Sequence, residues 1–180
     1  MRLVGICGSP RHSGNSKWAL NYVLKESARL FDVERIYVSE KKISFCDGCL
    51  ACEENLPCHY NDDMMAINDC LLKADIILVS TPVYFDNVPG ILKNLIDRTN
   101  PICNSMKGKK AIIITFGQAD NISWENATQY LNTYFDILGI SIIGRYSFGA
   151  RDIHDAMKDN KIITKLNGIV LELERIAKNG

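Results

Sequence analysis

Five times along this chain a short apolar run gives way to a stretch with helical spacing, and no other feature limits the fold as tightly. The runs are RLVGIC (2–7), VERIYV (33–38), DIILVS (75–80), AIIITF (111–116) and SIIGRYSF (141–148). They are rich in β-branched and aromatic residues, and three are nearly continuous in apolar side chains, the pattern of parallel strands covered on both faces. The helical stretches follow in turn. Trp18, Leu20, Val23, Leu24, Ala28 and Leu30 share one side of a helix over 16–30. Asn61, Asp62 and Asp63 are candidate caps for a second over 62–73, and Pro89 can open a third carrying Ile91, Leu92, Leu95 and Ile96. A fourth covers 123–138, closed by Gly139, and the last runs from about 153 to 178.

Strand followed by helix, five times over, means an α/β fold: a doubly wound parallel sheet with helices on both faces. For five strands the flavodoxin-like order 2-1-3-4-5 is expected. With 180 residues and no repeat or linker, the chain reads as one domain, 1–180. Its 21 basic and 21 acidic side chains cancel, which argues against nucleic acid as a partner. KGKK at 107–110 reads as a solvated turn. No apolar stretch approaches the ~20 residues that would cross a membrane, and MRLVGICGSPR has too short an apolar region for a signal peptide. The expected location is cytoplasmic, where thiols stay reduced. Seven cysteines there point to metal or redox chemistry rather than a disulfide framework.

In such a sheet ligands bind beyond the carboxyl ends of the strands, and three loops there carry suggestive residues. GSPRHSGNS (8–16) offers Ser9, Ser13, Asn15 and Ser16 as polar groups, Gly8 and Gly14 for close backbone approach, and Arg11 as a fork for phosphate at a helix start. TPVYFDNVPG (81–90) brings Tyr84, Phe85 and Asn87, suited to a planar heterocycle. FGQADN (116–121) brings Gly117, where a flat ring can approach. A phosphate cradle beside an aromatic-lined slot describes a mononucleotide site, and FMN fits better than a dinucleotide because the G-x-G-x-x-G fingerprint is missing.

One connection breaks the rhythm. Residues 39–61, after the second strand, are far longer than an ordinary βα loop and contain CDGCLACEENLPC. Cys46, Cys49, Cys52 and Cys58 are spaced C-x2-C-x2-C-x5-C, compact enough for three sulfurs to converge on a [4Fe–4S] cluster, with Cys58 near enough to be the fourth. Free or redox-active thiols are the second reading, and zinc, with His59 as an added ligand, the third. Cys7, Cys70 and Cys103 read as small core hydrophobes. His12, His59 and His154 have no carboxylate or serine partner at a suggestive spacing, and no G-x-S-x-G occurs, so a hydrolytic triad is not expected.

GSPRHSGNS, TPVYFDNVPGILKNLIDR and the cysteine stretch running on to HYNDDM together resemble the NADPH-dependent FMN reductase superfamily, and within it the iron–sulfur flavoproteins. The resemblance implies a flavodoxin-like fold with non-covalent FMN. It implies that Ser9, Arg11 and Ser16 hold the phosphate, helped by Ser13 and Asn15. Pro82, Val83, Tyr84, Phe85 and Asn87 would flank the isoalloxazine, with the backbone of Phe116, Gly117 and Gln118 on its other side. It assigns the cluster to Cys46, Cys49, Cys52 and Cys58. The family's phosphate loop is commonly S-x-R-x-x-S-x-T, and this chain departs from it with Gly14 and Ser16 at the last two defined positions. Ser16 keeps the hydroxyl; the one lost at Gly14 falls to Ser13 or to a backbone N–H. No side chain need act as a catalytic acid or base, since the cofactors carry the chemistry. The resemblance further implies an oxidoreductase with ferredoxin or NAD(P)H as donor, a small-molecule acceptor, and a homodimer or homotetramer. The alternatives are a cluster-free NAD(P)H-dependent FMN, quinone or nitro-compound reductase, and a non-catalytic electron carrier or zinc-stabilised module.

Overall fold

A computed structural model of the protein describes residues 1–54, 56–118 and 121–179, with 121–123 described by their backbone. Strands β1 (Arg2–Cys7), β2 (Asp32–Tyr37), β3 (Ile76–Pro82), β4 (Lys110–Gly117) and β5 (Ser141–Gly149) pair in parallel in the order β2-β1-β3-β4-β5, as the alternation requires. The helices are α1 (Asn15–Ser27), α2 (Met64–Leu72), α3 (Gly90–Asp97), α4 (Asn121–Ile137), α5 (Asp155–Lys158) and α6 (Asn160–Asn179).

Successive side chains of a strand point to opposite faces, so the apolar runs feed two cores at once. Val4, Ile6, Ile77, Val79 and Ile113 pack with α2, α3 and α4. Leu3, Cys7, Leu78, Ile112 and Ile114 pack with α1 and α6 on the other face. Truncating one of these fully buried aliphatics to alanine costs about 2–5 kcal/mol. Gly139 ends α4 in a left-handed conformation (φ 66°), which a side chain would strain.

Three sequence expectations change. The long final helix is two helices, because Asp159 is extended (φ −92°, ψ 106°) and its carboxylate accepts from the N–H groups of Lys161 (2.7 Å) and Ile162 (3.4 Å). Asp159 is thus a cap inside the periodic pattern, starting α6 afresh. The KGKK turn is not wholly solvated: Lys109 Nζ donates to the carbonyls of Leu72 and Ala74, both at 2.7 Å, closing the end of α2. Burial there pushes the Lys109 ammonium below its ordinary pKa. Cys70 and Cys103 are only half-buried, although both pack against the core; Cys7 is buried as expected. Among the described residues no helix is long and apolar enough to cross a membrane.

Candidate functional site

The carboxyl ends of β1, β3, β4 and β5 open into one cleft of about 350 Å³, within the usual range for small-molecule sites. The first loop contributes Ser9, Arg11, Gly14, Asn15 and Ser16 to its wall. The second contributes Pro82, Val83, Tyr84 and Phe85, and the third Phe116, Gly117 and Gln118. Ser13 and Asn87 are not part of that wall, and Ala119 and Asp120 lie outside the described residues. Asp86, Ala150 and Arg151 are additions the sequence reading did not include. Arg151 gives the cleft a second guanidinium, from the connection after β5. The convergence of every strand's carboxyl end could have pointed to it.

Local bonding explains how the first loop is held. Gly8 N–H continues the ladder to the Ser80 carbonyl (2.9 Å), and the Ser80 hydroxyl donates to the Ser16 carbonyl (2.9 Å). The Ser9 hydroxyl, buried, accepts from Arg11 N–H at 3.2 Å and curls the loop, leaving the Arg11 side chain exposed. Gly14 sits at φ 153°, ψ 174°, a region side chains avoid, and caps α1 without any side-chain bond. The first-turn N–H groups of α1 are therefore left to an outside acceptor. Asn15 is engaged within the protein: Nδ2 donates to the Asp152 carbonyl (2.9 Å) and Oδ1 accepts from Ala156 N–H (3.2 Å). That bridge brings Arg151 to the first loop, and Gln118 Nε2 steadies it through the Arg151 carbonyl at 3.2 Å.

Two glycines also make room for packing. A Cβ on Gly8 would lie 2.5 Å from Leu92 Cδ2 and 2.8 Å from Thr81 Oγ1, so its bareness seats α3. A Cβ on Gly117 would lie 2.1 Å from Trp124 Nε1 and 2.3 Å from Cδ1. The protein's own indole thus fills the place of a Cβ at Gly117, laid across the ends of β4 and β5, while Gly117 also lines the cleft.

Between β3 and α3 the chain makes a two-residue turn. Tyr84 N–H donates to the Asn87 carbonyl (2.8 Å) and Asn87 N–H to the Tyr84 carbonyl (3.0 Å). Phe85 (φ 47°) and Asp86 (φ 59°) are both left-handed, the type I′ geometry that ordinarily selects Asn and Gly. Holding a phenylalanine there costs roughly 1–2 kcal/mol, and its ring stands fully in solvent at the cleft rim. The Asn87 side chain is spent on its neighbour, accepting from Val88 N–H at 2.7 Å.

The cysteine loop is built differently. At its base Lys42 N–H donates to the Asp63 carboxylate (2.7 Å), Ser44 N–H to Asp62 (2.8 Å), and Asn94 Nδ2 to the Ile43 carbonyl (2.9 Å). Arg98, only 3% exposed, reaches in from the end of α3: Nη1 donates to Asp62 Oδ2 (2.8 Å) and to the Ser44 carbonyl (2.7 Å). Burial alone would push the Asp62 carboxyl up, but Arg98 and the N–H groups of Ser44 and Met64 outweigh it and hold it below the usual carboxylate range. Beyond this clamp, Cys46, Cys49, Cys52 and Cys58 all line one small cavity with Arg98 and Asn100. All seven cysteines are free thiols. Arg98 Nη2 donates to Cys58 Sγ (3.4 Å) and Asn100 Nδ2 to Cys52 Sγ (3.1 Å). Between Arg98 and Asn100 in the chain, the Thr99 hydroxyl pairs with that of Tyr134 (3.1 Å), whose phenol burial has pushed up to about 12.

His59 is not isolated as the spacing implied. The loop folds back so that its Nε2 lies 3.0 Å from Asp47 Oδ2. Among the described residues, Asp47, Cys49 and His59 form the one group of ligand atoms all within 4.8 Å of one another. The four sulfurs share a cavity without drawing that close. Tetrahedral zinc, at a Zn–S distance of about 2.3 Å, would bring its sulfurs within roughly 3.8 Å of each other. Four thiols lining one cavity are a donor set that an iron–sulfur cluster can use.

A flavodoxin-like parallel sheet whose strand ends open into one cleft, walled by Ser9, Arg11 and Ser16 on one loop and Pro82, Val83 and Tyr84 on another, defines a small-molecule-binding α/β protein. The chain belongs to the NADPH-dependent FMN reductase family, which it matches over residues 1–155. It is 34% identical over 154 residues to an iron–sulfur flavoprotein of Archaeoglobus fulgidus, spanning 83% of this chain and 68% of that one. It is 35% identical over 158 residues to an iron–sulfur flavoprotein of Methanocaldococcus jannaschii, spanning 83% and 78%. The fold is also that of an FMN-dependent NADH-azoreductase from Bacillus anthracis solved with FMN, at a TM-score of 0.65, 16% identity and 99% coverage of both chains. The protein is an FMN-dependent oxidoreductase.

Proposed function

We propose that this oxidoreductase is of the iron–sulfur flavoprotein type, with a [4Fe–4S] cluster on Cys46, Cys49, Cys52 and Cys58 beside the FMN cleft. The observation that carries the reading is that all four thiols of one loop line a single cavity while remaining unbonded. The names of the relatives from two archaea support it. When bound, the two cofactors supply the redox chemistry, and the chain binds and orients them.

In this reading Arg11, the Ser9 and Ser16 hydroxyls and the uncapped start of α1 hold the FMN phosphate, with Arg151 as a second cation. Pro82, Val83 and Tyr84 cover one face of the ring and Phe116, Gly117 and Gln118 border the other. The donor is a one-electron carrier of the ferredoxin type docking at the cysteine loop, and the acceptor a small oxidant such as a quinone. The exposed Phe45, Leu50 and Leu56 of that loop support a homodimer or homotetramer joined there. Free thiols agree with a cytoplasmic setting.

A second reading, direct reduction by NAD(P)H without a cluster, rests on the NADPH dependence in the family's description. Purification without oxygen, followed by iron, acid-labile sulfide and flavin analysis, separates the two. About four iron and four sulfide per chain support the cluster; flavin with no iron, and turnover with NAD(P)H, supports the second reading instead.

A further inference from the structure

Two side chains at the cysteine cavity have no part in the scheme above, and both aim N–H donors at sulfur. Arg98 Nη2 lies 3.4 Å from Cys58 Sγ, and Asn100 Nδ2 lies 3.1 Å from Cys52 Sγ. They belong to the end of α3 and the turn that follows it, not to the loop carrying the thiols. Arg98 cannot swing away, because Nη1 is held by the Ser44 carbonyl and the Asp62 carboxylate and the guanidinium lies 4.8 Å over the Tyr60 ring. Its pairing with Asp62 offsets much of its net charge. What remains at Cys58 is a directed N–H bond from a group that stays protonated at any working pH.

We infer that Arg98 and Asn100 set the reduction potential of the group bound by the four cysteines. The inference rests on the cluster reading above and adds the residues that regulate it. A donor hydrogen bond to a ligating sulfur stabilises negative charge on that sulfur. The reduced state carries one more electron than the oxidised state, so it gains more from the bond, and the potential rises. The two donors act on different sulfurs, Cys58 and Cys52, and both shift the potential in the same direction. Asn100 is exposed and makes no contact in the clamp at the base of the loop, so it can be changed without loosening the loop.

The test is a spectroelectrochemical titration of the anaerobically purified protein, with iron and sulfide counted in every sample. Asn100→Ala is expected to keep wild-type iron and move the cluster midpoint to a more negative potential. Arg98→Gln is expected to move it further in the same direction, and Arg98→Lys to fall between. If Arg98→Gln does not fold, Asn100→Ala decides alone. Midpoints that coincide with wild type at equal iron content overturn this inference and leave the cluster reading standing. Wild-type protein without iron overturns both. Loss of iron from Asn100→Ala with the midpoint of the remaining cluster unchanged marks a purely structural role and also overturns it.

Discussion

The cleft and the cysteine loop lie on the same fold but are held in shape by different means. The cleft rests on the strand ladder, which Gly8, Val83 and Ala150 each extend by one N–H bond, to Ser80, Phe116 and Gly117, and the side chains of Ser9, Asn15, Ser80 and Gln118 add to it. The cysteine loop departs from the sheet after β2, and side chains hold it, chiefly Asp62, Asp63, Asn94 and Arg98. A site held by backbone survives the loss of one side chain with weaker binding. A loop held by side chains depends on a few of them, and losing one frees the whole segment.

That contrast breaks if the two regions turn out to depend on one another. The largest effect is expected from Cys52→Ser, which should abolish iron and sulfide while FMN affinity, measured by fluorescence titration, stays within about twofold because no cleft contact changes. Next is Asp62→Ala. It leaves the buried Arg98 without its carboxylate and should cost about 3–5 kcal/mol in urea unfolding, with new protease cuts inside 44–61. Arg11→Ala removes an exposed charged donor from the cleft. FMN affinity should fall about tenfold to a hundredfold, with iron content unchanged; equal loss of iron would show that the regions are coupled.

The smallest effect concerns Tyr134, which bonds Thr99, the residue between Arg98 and Asn100. Tyr134 titrates at about 12 in the fold, against its ordinary value near 10. Its stabilising contribution is therefore complete below pH 10 and lost as the pH rises from 10 towards 12, at up to about 1.4 kcal/mol per pH unit. Unfolding followed across that window should show the slope, and Tyr134→Phe should reduce it, the remainder coming from Tyr130, whose phenol burial also pushes up to about 12.

The sequence shows the scaffold more clearly than it shows the contacts between distant segments. Each strand is a short apolar run that must be buried on both faces, so the sheet could be inferred from composition along the chain. The break at Asp159 was hidden because periodicity continues through it; only the Asp-Asn pair before the apolar run signals a fresh cap. Three cleft loops were legible because glycine, serine and aromatics punctuate them, whereas Arg151 sits in a connection with no such marks. Arg98 and Asn100 were invisible for a different reason. They meet their cysteines across separations of 40 and 48 residues, and nothing in local sequence encodes that meeting. The Asp47–His59 pair was missed likewise, because the turn that joins them exists only once the loop has folded back.

The clamp at the base of the cysteine loop also has an entropic consequence. Ser44 and Asp62 are 18 residues apart, and bringing such ends together costs about 2.5 kcal/mol of chain entropy. Here that cost falls on folding, where the two cores can offset it, and not on whatever the loop binds. On the cluster reading proposed above, the four thiols therefore start from a ring of chain whose base is already closed.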